Sequence, residues 1–148
     1  MSKNLFNTPF EMELRSLLLL AVSGESPISI DRVVILDFIS CYGADFELAA
    51  INLHGNNRVK FGEISNRRSL LKEAIKTLVV KGMVDVTVDR GYLFSISDVG
   101  KKYVDKFECE YSEDYLKVSK EAVTKYKDKS DEELMEIIQS YSLQSIRG

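Results

Sequence analysis

Asn66–Ile96, NRRSLLKEAIKTLVVKGMVDVTVDRGYLFSI, is the stretch whose reading decides the fold. Leu70, Leu71, Ala74, Ile75 and Leu78 recur at helical spacing and predict a core-facing stripe from about Asn66 to Lys81. Arg68, Ser69, Lys72, Glu73 and Lys76 then face outward, three cations against one anion, and Gly82 supplies a left-handed stop. Val84, Val86 and Val88 alternate with Asp85, Thr87 and Asp89. After Arg90-Gly91 the alternation resumes through Tyr92, Phe94 and Ile96, as a half-buried hairpin requires. Two more apolar helices precede this unit. The order is the outline of a winged helix-turn-helix, a mainly α fold with a small β-hairpin as its wing.

The first helix announces itself at Thr8-Pro9-Phe10-Glu11, where Thr8 caps the free amides, Pro9 suits the first turn and Glu11 can complete a capping box. Phe10, Leu14, Leu17, Leu18 and Ala21 form one apolar stripe. Met12 and Leu19 point to the opposite side, so this helix needs cover on two faces, from the C-terminal extension or from another subunit. The second helix is expected to start near Ser29, with Asp31 in its first turn, and to stop before Gly43. Ile30, Val33, Val34, Phe38 and Cys41 make its stripe, with Asp37 inside it. A buried carboxylate is costly unless paired, so Asp37 should reach solvent at a margin or meet a cation such as Arg15 or Arg68. No second acid or histidine is placed to make it catalytic.

Residues 44–63 show no clear period, and His54-Gly55-Asn56-Asn57-Arg58 reads as a turn-rich loop. His54 is the single histidine and has neither the cysteine nor the acidic neighbours of a metal site. Beyond Ser97, which can cap a helix from Asp98, the chain is helical and charged. Tyr111, Tyr115, Val118, Ala122 and Tyr126 form one stripe, and Ser130-Asp131-Glu132-Glu133 is a second capping box leading into Leu134, Ile137, Ile138 and Tyr141. Short helices are marginal alone, so these need the domain, each other or a partner. The organisation expected is a winged helix-turn-helix domain over 1–97 and a helical extension over 98–148, packing on it or on a partner.

The net charge of −3 sits in that extension, which holds 12 acids and 9 bases, while residues 1–97 hold 11 of each. Such a balance disfavours a protein that coats nucleic acid by bulk charge, though not a local basic patch. Cys41 and Cys109 carry no paired metal spacing, the start lacks a signal-peptide pattern and the longest apolar run, Leu17–Val22, is far too short to span a bilayer. A reduced, cytoplasmic, noncatalytic protein without metal or cofactor is the expectation.

Two binding readings remain. A DNA reader would set Arg68, Lys72 and Lys76 into the major groove and Arg90 at the wing tip, with Glu73, Asp85 and Asp89 opposing it. A protein adaptor would use the same surfaces. Leu5-Phe6-Asn7-Thr8-Pro9-Phe10-Glu11 with Leu14-Arg15, Leu36-Asp37-Phe38, the segment from Leu53-His54 through Asn57-Arg58 to Gly62-Glu63, Arg67-Arg68, Lys81-Gly82-Met83-Val84 and Ser130–Leu134 together resemble the middle component of bacterial ABC-three-component systems. One departure is Gly55-Asn56-Asn57, where that family often carries proline.

The resemblance implies a small winged-helix accessory subunit that sits on an SMC-like or Rad50-like ABC ATPase. It couples that ATPase to an effector, often a nuclease, in antiviral or anti-plasmid defence of the Lamassu kind. On this reading Met12, Arg15, Leu19, His54, Arg58, Glu63, Arg67 and Arg68 are the expected partner-binding residues, since apolar excess and arginine mark interfaces; the equal alternative for Arg58, Arg67 and Arg68 is that they tie the loop to the third helix and to Asp37. The C-terminal helices would form a second contact or a homodimer face. The competing expectation is a winged-helix transcriptional regulator that binds DNA through Arg68, Lys72, Lys76 and Arg90.

Overall fold

The structure, a computed structural model, describes residues 8–24, 26–42, 64–106 and 110–147, with the side chains of 65, 110, 111 and 141–147 left aside. The first helix, α1, runs Pro9–Ser23; Thr8 caps it by accepting the Glu11 amide on Oγ1 at 3.3 Å. A two-residue strand, β1 (Ile28–Ser29), leads into α2 (Ile30–Cys41), whose cap is Ser29, accepting from the Arg32 amide at 3.1 Å. Helix α3 spans Ile64–Val80. It ends in a Schellman motif: Met83 N–H reaches Leu78 O and Gly82 N–H reaches Val79 O, with Gly82 at φ 76°.

Strands β2 (Val84–Val88) and β3 (Tyr92–Ile96) form the expected hairpin. The short β1 adds to the far side of β3, giving an antiparallel sheet of order β1-β3-β2 with Ile28 opposite Phe94. This third strand was not foreseen, because two residues before a helix cap carry no readable alternation. Helix α4 (Asp98–Asp105) starts at Ser97, whose hydroxyl accepts the Gly100 amide and donates to Gly82 O at 2.6 Å. Helices α5 (Glu110–Tyr126) and α6 (Asp131–Arg147) follow. The capping box at α6 is formed in both directions, Ser130 N to Glu133 Oε1 at 2.9 Å and Glu133 N to Ser130 Oγ at 3.1 Å. The described residues thus make a mainly helical protein with one small antiparallel sheet, and no helix among them is long and apolar enough to cross a membrane.

α1 lies at the centre. Every residue from Leu14 to Leu20 is buried, and the helix packs most extensively on α3 and α5, with α2, α4 and β3 completing its surroundings. Of the two covers weighed for its second face, the chain's own α5 is the one present. Tyr115, Ala122 and Tyr126 of α5 and Leu134 and Ile138 of α6 join the core formed by α1, α2 and α3. Phe10, expected in the core stripe, is instead 56% exposed, because it sits in the first turn of α1 beside a small cleft it shares with Tyr103 and Met83.

α6 is held by an arginine clamp from α2. Arg32 Nη1 donates to Lys129 O at 2.8 Å and to Asp131 Oδ1 at 3.0 Å, while Nη2 donates to Tyr126 O at 2.7 Å. Ser29 Oγ adds a 2.7 Å bond to Asp131 Oδ2. These contacts add to the Lys129 N–H bond that Tyr126 O already accepts at 3.0 Å, brace the turn between α5 and α6, and anchor the first turn of α6.

Candidate functional site

Asp37 projects from α2 into the centre of the molecule, 1% exposed. Its Oδ1 accepts from Arg15 Nε at 2.9 Å and Tyr115 Oη at 2.6 Å; its Oδ2 accepts from Arg15 Nη2 at 3.1 Å and Arg67 Nη1 at 2.5 Å. Arg15 therefore grips the carboxylate side-on with two parallel bonds, the strongest geometry available to this pair. Its Nη1 also reaches Glu11 Oε1 at 3.2 Å. Two guanidiniums and two carboxylates balance, and the Arg67 guanidinium lies 5.5 Å from the Phe38 ring centroid.

Burial acts to raise the Asp37 carboxyl, but the Arg15 and Arg67 cations and the Arg15 and Tyr115 hydrogen bonds outweigh it and hold the group well below the usual carboxylate range. Burial pushes the Cys41 thiol, one helical turn along, up to about 11. Burial and the neighbouring Asp37 charge raise the Tyr115 phenol. The cluster is accordingly an ionised carboxylate wrapped in donors and closed to water. It ties α1, α2, α3 and α5 together, and it offers a substrate neither a free acid nor a reachable base.

This corrects the expected partner surface. Met12, Arg15, Leu19 and Arg67 are at most 2% exposed and cannot meet another molecule in this arrangement. The reasons are that α5 covers the second face of α1 and that Asp37 draws both arginines inward. Arg68, another cation considered for Asp37, pairs instead with Asp31 at 2.9 Å on the surface. His54, Arg58 and Glu63 lie outside the described residues.

The open site lies between α3 and the hairpin. Here Arg68, Lys72 and Lys76 of α3 and Arg90 of the hairpin turn edge a groove of about 850 Å³, with Ser29, Ile30 and Asp31 at one end. The four cations proposed for DNA contact therefore do share one groove. Its walls are apolar: Ile75, Val79 and Val80 from α3 and Val86, Tyr92 and Phe94 from the sheet. Arg90 adopts φ 58°, a left-handed backbone that costs a non-glycine residue about 1 kcal/mol or more. The groove's apolar half was missed in the sequence. The available signal was the hairpin alternation, which stays apolar on one face up to the tip, beyond any core it serves.

Among the described residues the protein is mainly helical, with an interior charge lock and an open, cation-edged apolar groove. Residues 5–148 match the family described as ABC-three component (ABC-3C) system Middle Component 2, and the chain belongs to that family. No curated protein and no solved structure matches it.

Proposed function

We propose that this chain is a noncatalytic accessory subunit of an antiviral or anti-plasmid defence complex, binding an SMC-like or Rad50-like ABC ATPase and coupling it to an effector. Membership of a middle-component family along nearly the whole chain implies protein partners. The element order α1-β1-α2-α3-β2-β3 and the sheet order β1-β3-β2 support a winged helix-turn-helix at its centre. The observation that carries the reading is the groove: Val80, Val88 and Tyr92 are 87%, 73% and 68% exposed at or beside it, an apolar surface a lone subunit leaves in water. The enclosure of Asp37 supports a noncatalytic role. Co-expression with the ATPase encoded beside it, followed by size exclusion, tests the proposal; co-elution is expected, and separate elution at micromolar concentration counts against it.

The gathering of Arg68, Lys72, Lys76 and Arg90 on one groove favours a second reading, a winged-helix regulator that binds duplex DNA. Its signature is affinity that falls steeply with salt and is abolished by Arg68→Glu. Weak, sequence-independent binding does not meet that standard, since an accessory subunit on a DNA-clamping ATPase touches the same backbone.

A further inference from the structure

We infer that the groove between α3 and the hairpin is the seat of an amphipathic, acid-bearing helical segment of the partner ATPase; the inference rests on the accessory-subunit reading and names its contact surface. The hairpin register shows why the groove is built for apolar side chains. Val84 faces Ile96 at the buried base, Val86 faces Phe94 half-way out, and Val88 faces Tyr92 at the exposed tip. All six lie on one face of the two strands, because alternate residues share a side. The pairs nearest the base serve this chain's core. The outer ones do not, and they continue the same apolar strip toward solvent, across from Val79 and the 87% exposed Val80 of α3.

Charge selects the occupant. Four cations and one carboxylate line the groove; Arg68 pairs with Asp31 and Lys76 with the neighbouring Glu73, and the lining keeps a net positive charge. An apolar floor between cationic edges matches a helix with apolar side chains at i, i+3, i+4 and i+7 and carboxylates flanking them. Nucleic acid matches the edges alone. Its phosphates would leave Val80, Val86 and Tyr92 against charge, and the chain's net −3 opposes its approach. A second copy of this chain would bring an acidic extension, but the Asp131 carboxylate that begins α6 is engaged by Arg32 and Ser29.

The test uses the full chain and the ATPase of its own system. Val80 is replaced by the photo-crosslinking residue p-benzoylphenylalanine, and the crosslinked peptide is read by mass spectrometry. The expected product joins Val80's position to an ATPase segment with apolar residues at helical spacing and more acids than bases. In parallel, the pair Lys72→Glu and Lys76→Glu should weaken the complex about tenfold or more, with a salt dependence smaller than wild type. Both side chains are exposed, so thermal unfolding should not move. Unchanged affinity in that double variant, or crosslinks that go to DNA, to a second copy or to a basic segment, overturns the groove assignment and leaves the accessory role standing. Failure of the wild-type chain to bind the ATPase overturns both.

Discussion

Tyr115 of α5 donates a 2.6 Å hydrogen bond to Asp37 of α2 across 78 residues of chain, and both groups are closed to water. The phenol thereby completes the coordination of a carboxylate already held by two arginines. A hydrogen bond to a buried charge contributes more than a neutral one, so Tyr115→Phe is expected to cost about 1.5–3 kcal/mol in urea unfolding, without loss of the fold.

Removing the carboxylate has a larger effect. Asp37→Asn leaves two guanidiniums facing each other in the interior, and an expected cost of about 3–5 kcal/mol would take much of the stability of a small domain. Replacing the whole cluster at once, Arg15→Met with Asp37→Leu and Arg67→Met, should be far milder than the sum of its parts. Circular dichroism melts of the single and triple variants make the comparison.

Neighbouring arginines should behave in opposite ways. Arg67→Ala breaks the bond to Asp37 Oδ2 and opens a void beside Phe38, whereas Arg68→Ala gives up a half-exposed pair with Asp31. The first is expected to destabilise by about 3 kcal/mol or more and the second by about 0.5 kcal/mol or less. Denaturant midpoints of the two variants read the difference.

Stability should also fall at both ends of the pH scale. The folded-state Asp37 carboxyl lies below its ordinary 3.8, so it binds a proton more weakly than in the unfolded chain. Its stabilisation is present above that value and is lost as pH falls further. Cys41 is pushed from 9.0 to about 11, and Tyr115 is raised above 10.0, so at high pH the unfolded chain loses its protons first and stability declines from about pH 9 upward. Urea midpoints should be flattest between about pH 5 and 8, and Cys41→Ala should remove the earliest part of the alkaline decline.

Gly100 of α4 sits against Met83, just before β2, and Ile96 at the end of β3. A Cβ there would press on the Met83 carbonyl oxygen and come within 2.8 Å of Ile96 Cγ1. Alanine normally gains about 1 kcal/mol over glycine inside a helix, but this overlap falls on backbone that cannot swing aside. Gly100→Ala is therefore expected to destabilise by about 1–3 kcal/mol in a thermal melt.

Much of the framework could be read from local signals. The Thr8, Ser29, Ser97 and Ser130 caps, the Gly82 stop and the Val84–Ile96 alternation depend on residues within one or two turns of each other, and the structure has each of them. Asp37 announced a buried charge, with Arg15 and the arginines before and in α3 as the partners considered. Choosing Arg67 over Arg68 needed the rotation of α3 against α2, which no spacing within a helix encodes. Tyr115 read as one more apolar stripe residue, since its hydroxyl acquires meaning only where α5 lands. The groove divided in the same way: its cations stood out singly, while the apolar strip between them emerged from the packing of two elements.

The enclosure of α1 also governs how the molecule is made. Leu19 and Leu20 are sealed in a core that includes α5, an element translated long after α1 has left the ribosome. Until then a greasy helix and an unlidded Asp37 have no finished shelter. A message cut short before residue 110 should therefore yield a client for chaperones and proteases, not a smaller working subunit.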